Sequence, residues 1–85
     1  MFVVYAIYNR DHGKIYVGQT IDLMSRIKEH NIHQYNRAYT SRFEGEWILF
    51  YTEEFDNRGD ALFREKQLKS YRGREYLKKL ISGPL

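Results

Sequence analysis

The sequence of 85 residues contains no cysteine, only one proline and no long hydrophobic run. Without cysteine the chain can hold neither a disulfide framework nor a cysteine-based metal or redox site, which fits a cytoplasmic protein. The apolar stretch at residues 2–8 has no basic residues before it and is far shorter than a membrane span. We therefore expect no secretory signal and no membrane-spanning segment, and we assign this stretch to an opening β-strand.

The residues that are abundant favour a folded protein. Hydrophobic residues make up 42% of the sequence and aromatic residues 16%, with eight tyrosines and five phenylalanines. This content is too high for a disordered chain and predicts a core built from large rings. The length predicts one small domain over residues 1–85.

Positive charge is concentrated near the C-terminus. Residues 64–79 carry seven lysines and arginines against two glutamates, a net charge of +5, so the remaining residues sum to −2 within a total of +3. A basic segment on a nearly neutral body indicates a polyanionic partner such as nucleic acid. A solvated helix face is the alternative interpretation of the same charges.

The order of the secondary-structure signals predicts an α+β fold, ββαβαα, with a three-stranded antiparallel sheet flanked by helices. The Asn, Asp and Gly of residues 9–14 predict a hairpin turn. Thr20 and residues 56–57 are typical helix N-caps, and residues 72–74 are expected to break the second helix. The predicted strands are residues 2–8, 14–18 and 46–55, the predicted helices are 21–31, 58–71 and a short final one, and 32–44 is a predicted loop.

The expected register of the hairpin brings two tyrosines together. If residues 10–13 form the loop, Tyr5 lies opposite Gly18 and Tyr16 lies opposite Ile7. Tyr5 and Tyr16 then point to the same face of the sheet, and Gly18 leaves room beside them for another backbone or a ligand. Tyrosines that simply pack in the core are the alternative.

The first helix carries a basic pair. Arg26 and His30 are four residues apart, so they share one side of the helix, next to an apolar stripe of Leu23, Met24 and Ile27. These two side chains could lean toward the edge of the sheet. The alternative is a pair exposed to solvent.

The second helix carries an acid where an apolar residue is expected. Glu65 lies within the stripe formed by Ala61, Leu62 and Leu68. A lone carboxylate on a packing face is unfavourable unless it is paired. We therefore expect Glu65 to meet a basic partner such as Arg26 or to hold a metal ion.

Four motifs in this order resemble the GIY-YIG nuclease superfamily, and the resemblance covers essentially the whole chain. They are Val3-Val4-Tyr5, Tyr16-Val17-Gly18, the L-x-x-R-x-K-x-H-N pattern of residues 23–31, and the F-x-x-x-x-x-A-L-x-R-E-K-Q-L-K-S pattern of residues 55–70. The chain is most similar to the small stand-alone bacterial members of the family. Those are relatives of the incision domain of the excision-repair nuclease and of the Slx-type nucleases, which implies a role in DNA repair.

The resemblance implies a metal-dependent endonuclease that leaves 5′-phosphate and 3′-hydroxyl ends. Tyr5 would act as the base that activates water, with Tyr16 assisting. Arg26 would steady the scissile phosphate and His30 would position water or phosphate. Glu65 would anchor one divalent ion, Mg²⁺ or Mn²⁺.

The expected substrate is DNA, branched or damaged, although RNA also satisfies the pattern. Two alternatives are a nucleic-acid-binding module that no longer cuts and a nuclease subunit that needs a protein partner. Zinc at His30 and His33 lacks further ligands, and a helix-turn-helix does not fit a chain that begins with a hairpin. The residues expected to bind phosphates are Lys14, Arg37, Arg42, Lys66, Lys69, Arg72 and Arg74.

The motifs depart from the family pattern in three respects. Val3 and Val4 replace the Gly and Ile of the first motif. No second acidic residue is clearly placed as a metal ligand. The sequence also shows no added DNA-binding domain, so the affinity for nucleic acid would have to come from the basic residues themselves.

Overall fold

The computed structural model describes residues 1–31 and 45–82. The predicted loop at 32–44, with Arg37, Arg42 and His33, lies outside these residues. The elements follow the order ββαβαα, which confirms the α+β fold. The strands are β1 (Phe2–Asn9), β2 (Lys14–Thr20) and β3 (Trp47–Phe55), and the helices are α1 (Leu23–Asn31), α2 (Arg58–Lys69) and α3 (Tyr71–Ser82).

The sheet has β1 in the middle, with β2 and β3 paired antiparallel to it on either side. The hairpin register is the predicted one, because Tyr5 lies opposite Gly18 and Ile7 lies opposite Tyr16. The turn is held by the buried Asn9, whose side-chain oxygen accepts a hydrogen bond from the His12 backbone N–H at 3.1 Å. Because β1 is the central strand, β2 is an edge strand, and its outer side pairs with no other described strand.

The alternation of side chains along β1 divides the core into two layers. Val4 and Ala6 face one side of the sheet, where they pack with α2 and α3, whereas Tyr5 and Ile7 face the other side, which α1 covers. The first layer also contains Val17, Ala61, Leu68 and Leu77, and the second contains Trp47 with Tyr16, Leu23 and Ile27 beside it. Helix α1 therefore lies on one face of the sheet, and α2 and α3 lie on the other.

Helix α1 starts later than predicted, and its N-cap is Asp22 instead of Thr20. Thr20 is still paired with Val3 in the sheet, and its hydroxyl accepts a hydrogen bond from the Asp22 backbone N–H at 3.1 Å. Asp22 then caps the helix, since its carboxylate accepts from the Ser25 N–H at 3.2 Å. Both residues are good caps, and pairing in the sheet keeps Thr20 extended.

The break between α2 and α3 is at Ser70, not at residues 72–74 as predicted. Ser70 is extended (φ −71°, ψ 168°), and its N–H donates to the Gln67 carbonyl. Gly73 lies inside α3, where a Cβ would collide with the Gln67 carbonyl oxygen and the Leu68 Cα. The glycine therefore serves the close approach of the two helices instead of ending one of them.

Helix α2 begins as predicted and is tied to the third strand. Asn57 is its N-cap, with its side-chain oxygen accepting from the Asp60 N–H at 2.8 Å. Further along, the Arg64 Nε donates to Glu53 of β3 at 2.9 Å. Among the described residues, no helix is both long and apolar enough to cross a membrane.

Candidate active site

Three aromatic rings meet under α1. The Tyr5 hydroxyl lies 2.8 Å from Nε2 of His30, and the Tyr16 ring centroid lies 5.0 Å from that of His30. The two tyrosine rings are 6.2 Å apart, which confirms that they share a face of the sheet. The hairpin and α1 thus assemble one cluster, Tyr5, Tyr16 and His30.

His30 is buried, not exposed to solvent, and only 1% of its surface is accessible. Burial and, to a smaller extent, the charge of Arg26 lower the pKa of His30 to about 4, although Glu29 acts in the opposite direction. His30 is therefore uncharged at neutral pH. With its proton on Nδ1, its Nε2 accepts the hydrogen bond from the Tyr5 hydroxyl.

The packing stripe of α1 differs from the predicted one. Leu23 and Ile27 face the sheet as expected, but Met24 is 80% exposed and His30 takes the third place. The positions 23, 27 and 30 follow the i, i+4, i+7 spacing of one helix face. Arg26 lies near His30 as expected, since its charge acts on the histidine. Of the two side chains only Arg26 is partly exposed to solvent.

Asn31 fixes the end of α1 against the sheet. Its side-chain oxygen accepts from the Trp47 backbone N–H at 2.7 Å, and its amide donates to the Trp47 carbonyl at 3.2 Å. This double hydrogen bond holds the adjacent His30 in place. Asn31 is not among the predicted site residues, and the signal for it in the sequence is a polar amide next to the histidine at the end of the helix.

Gly18 allows the tyrosines to come together. A Cβ at this position would lie 2.8 Å from the Tyr5 hydroxyl oxygen and 3.0 Å from Cε2 of Tyr16. Any side chain would therefore push against both rings. The strand carries a glycine here because the site occupies the space of the missing side chain.

The two tyrosines differ in their access to solvent. Tyr5 is only 1% exposed, whereas Tyr16 is partly exposed and lines a cavity of about 440 Å³ at the edge of β2, which we call the β2-edge cavity. The hydroxyl of Tyr5 is also occupied by His30. These observations favour Tyr16 over Tyr5 for direct contact with a substrate or an attacking water.

The β2-edge cavity is strongly basic. Among the described residues its lining includes Lys14, Lys69, Arg74 and Lys78 and no acidic residue, although Lys69 and Lys78 form ion pairs with Glu65 and Glu75. Three of these belong to the predicted phosphate-binding set. Lys78 was not predicted, although it lies four residues after Arg74 on α3 and so shares its side of the helix. Lys66 and Arg72 line a different surface, between α2 and α3.

Glu65 lies on α2, across the sheet from the three rings. Its side chain is only 17% exposed, and Oε2 accepts from the Lys69 ammonium at 2.7 Å. Its basic partner is therefore Lys69, not Arg26. Lys69 also lines the β2-edge cavity, so this ion pair places the Glu65 carboxylate next to a residue of that cavity, although Glu65 is not part of the lining.

The stripe around Glu65 is narrower than predicted. Ala61 and Leu68 are buried in the layer under α2, but Leu62 is 44% exposed. Two apolar residues, seven positions apart, therefore flank a carboxylate that is mostly sheltered from water. The cation that this carboxylate binds is the Lys69 ammonium, at 2.7 Å.

The described residues offer few ligands for a divalent metal ion such as Mg²⁺. Within residues 1–31 and 45–82 no group of three or more His, Cys, Asp or Glu side chains is placed to hold a metal ion. Mg²⁺ keeps several waters and can be held by one carboxylate, which Glu65 supplies. Gln19 offers an amide oxygen as a second ligand on the α2 side of β2, because its Oε1 is buried and accepts no hydrogen bond from the described residues. The Lys69 ammonium competes for the same carboxylate.

Comparison with known proteins finds one matching family model and two similar proteins of about the same length. The family model described as the GIY-YIG catalytic domain matches residues 1–79. A UPF0213 protein of Staphylococcus saprophyticus is 32% identical over 80 residues, covering 94% of each chain. A UPF0213 protein of Haloquadratum walsbyi is 35% identical over 68 residues, 80% of this chain and 73% of its own.

A solved structure agrees with the fold. The solution NMR structure of a UPF0213 protein from Bacillus halodurans is similar over 99% of this chain and 89% of its own, with a TM-score of 0.55 and 33% sequence identity. The name UPF0213 states no substrate, metal or activity. What these relatives add is the shared family and fold.

Proposed function

The chain belongs to the GIY-YIG catalytic-domain family, whose domain implies a nuclease-type function, and on this premise we propose that it is a metal-dependent cytoplasmic endonuclease that hydrolyses phosphodiester bonds in DNA. The observation that carries the proposal is the position of Tyr16. Its ring packs against the neutral His30, and it also lines a cavity with four cationic side chains. This residue therefore joins the three rings to a basic cavity, which is a suitable place for a phosphate.

On the α1 face of the sheet, the side chains would orient the reacting groups. Arg26 would contact the scissile phosphate, because a guanidinium offsets the negative charge that grows in the transition state. The Tyr16 hydroxyl would hold the attacking water. Tyr5 would act as a positioning residue, since its buried hydroxyl is hydrogen-bonded to Nε2 of His30 at 2.8 Å.

On the other side of the edge, Glu65 would anchor the divalent ion. The ion, when bound, would offset phosphate charge and favour formation of hydroxide from its water. Binding there requires the Lys69 ammonium to leave the Glu65 carboxylate. Lys69 would then be free to join Lys14, Arg74 and Lys78 in contacting phosphates on either side of the cut.

A cleavage assay tests this function. Purified protein is incubated with flapped, branched, duplex and single-stranded DNA of one sequence, and with an RNA strand, in the presence of Mg²⁺ or Mn²⁺. We expect metal-dependent cleavage that leaves 5′-phosphate and 3′-hydroxyl ends, and a loss of at least about 100-fold in Glu65→Ala, the order expected for a group that anchors a catalytic charge. Equal cutting by the wild type and Glu65→Ala would point to a contaminant and reject the proposal.

A nucleic-acid-binding module that does not cut is the second candidate. The observation in its favour is the hydrogen bond between Lys69 and Glu65, which occupies the only acid assigned to the metal. In that case, DNA binding would weaken with salt but would not change with Mg²⁺ or with Glu65→Gln. A nuclease subunit that needs a protein partner would instead bind the metal ion at Glu65 but would not cleave DNA without that partner.

A further inference from the structure

An open groove of about 640 Å³ lies between α2 and α3, and we call it the α2–α3 groove. Phe63 lines it from α2 and Tyr76 lines it from α3, and these side chains are 65% and 46% exposed. Gly73 also lines it, where the two helices approach too closely for a side chain. The groove therefore offers two aromatic surfaces to solvent.

One of these rings is held in place by the fold. The Tyr76 ring meets Tyr51 of β3 edge to face, with the centroids 6.2 Å apart and the planes at 88°. The Tyr51 hydroxyl in turn donates to Glu53 at 2.6 Å. A ring that is fixed and nearly half exposed can stack on a flat ligand without losing much conformational freedom.

The charges of the groove are positive. Lys66 and Arg72 line it and form no ion pair with any residue that the structure describes. Arg64 also lines it, but its charge is offset by Glu53 at 2.9 Å. Within residues 1–31 and 45–82, no aspartate or glutamate belongs to the lining. An apolar helix would cover the rings but would also remove two cations from water without a partner.

A nucleotide matches both features, because it carries a flat base and an anionic phosphate. We propose that the α2–α3 groove binds an unpaired nucleotide of the substrate, with its base stacked against Tyr76 and Phe63 and its phosphate between Lys66 and Arg72. The groove is distinct from the β2-edge cavity, which Lys69, Arg74 and Lys78 line from the same two helices. The inference rests on the proposed function in taking nucleic acid as the partner.

This second site makes the chain selective for DNA with a single-stranded flank. A base inside a duplex is stacked on its neighbours and is not free to enter the groove, whereas a flap or a gap presents it at no unpairing cost. The β2-edge cavity would then hold the strand that is cut. The α2–α3 groove would hold the unpaired part.

Binding measurements without metal test the inference. The fluorescence anisotropy of a labelled 12-nucleotide thymidine strand and of a duplex of the same length is measured in EDTA. We expect Phe63→Ala to weaken single-strand binding at least about fivefold, the loss for one stacked base, and to change duplex binding less than twofold. Tyr71→Ala is the matched control, since Tyr71 is 79% exposed on the same helix pair but does not line the groove.

The outcomes separate this inference from the proposed function. If Phe63→Ala and Tyr71→Ala weaken single-strand binding equally, or if neither weakens it, the proposed nucleotide site in the groove is overturned. Duplex binding by the wild type would still be consistent with the proposed nuclease function. A dimer of the wild type that Phe63→Ala dissociates would also overturn it, by assigning the groove to a second copy. If the wild type binds neither DNA, the proposed function itself fails. Phe63 is mostly exposed, so thermal unfolding of its variant should match the wild type.

Discussion

At the scale of single residues, Gly18 sets the distance between the two tyrosines. Its place opposite Tyr5 follows from the four-residue turn alone, so the sequence is sufficient to predict it. The third ring could not be predicted in the same way. His30 joins Tyr5 only because α1 docks at one particular angle on the sheet, and local sequence does not determine that angle.

The first prediction concerns Gly18→Ala. The new methyl group would lie 2.8 Å from the Tyr5 hydroxyl, which is buried and bound to His30, so the ring cannot move freely. We expect a loss of about 1–3 kcal/mol in the free energy of unfolding, the usual cost of overpacking. Urea denaturation measures it. An Ala variant as stable as the wild type would show that the three rings are not packed as described.

The second prediction concerns pH and His30. Its pKa is about 4 in the folded state and 6.5 when unperturbed, so between these values the unfolded chain binds more protons. Stability from this residue is therefore complete above pH 6.5 and decreases as the pH falls toward 4. We expect the loss to approach about 3 kcal/mol, since each tenfold change in proton affinity corresponds to about 1.4 kcal/mol.

Thermal unfolding of the wild type and His30→Gln between pH 7.5 and 4.5 measures this dependence. The variant cannot titrate at position 30, so its melting temperature should fall less over this range. An NMR titration of the His30 ring gives the pKa directly. A midpoint near 6.5 would contradict the buried, neutral histidine.

At the scale of elements, the boundaries of helices proved harder to predict than their existence. Thr20 and Asp22 are equally good caps in the sequence, and only the pairing of Thr20 with Val3 decides between them. Similarly, a glycine at position 73 is typical of a helix break, but here it lies inside α3, where the backbone of α2 leaves no room for a side chain. Tertiary contact thus overrode the local signal in both places.

The third prediction tests the role of Gly73 in that crossing. Gly73→Ala should gain about 1 kcal/mol in helix propensity but place a methyl group against the backbone of Gln67 and Leu68. Backbone cannot rotate away as a side chain can, so the helices must separate. We expect a net loss of about 2 kcal/mol or more in the free energy of unfolding.

Gly59→Ala is the matched control for this substitution. Gly59 lies in the first turn of α2, and a Cβ there would meet only the Asn57 side-chain oxygen at an ordinary 3.4 Å. We expect it to be neutral or to stabilise by up to about 1 kcal/mol. Equal effects of the two substitutions on denaturation would mean that the helices do not cross as closely as described.

At the scale of the whole molecule, the candidate site is divided between the two faces of the sheet. Tyr5, Tyr16, Arg26 and His30 lie on the α1 face, and Glu65 lies under α2 on the other. The sequence could indicate these residues one by one from the motifs. It could not show that Glu65 and the three rings lie on opposite faces of the sheet, because that depends on which helix covers which face.

The same arrangement explains the distribution of charge. The basic third of the chain forms α2 and α3, and its cations point to two surfaces, the β2-edge cavity and the α2–α3 groove. Net charge along the sequence predicted a polyanion partner but not this division. Two basic surfaces on one helix pair are suited to two segments of one nucleic acid.

The most direct test of a site shared across the sheet edge is a titration of the ¹⁵N-labelled protein with Mn²⁺, observed by amide line broadening. We predict that substoichiometric Mn²⁺ broadens the amides around Glu65 and those of Val17 and Gly18 in β2 together, and that Glu65→Gln removes both effects. Broadening confined to other acidic residues, such as Asp56 and Asp60, or broadening that survives Glu65→Gln, would contradict a metal site at this edge.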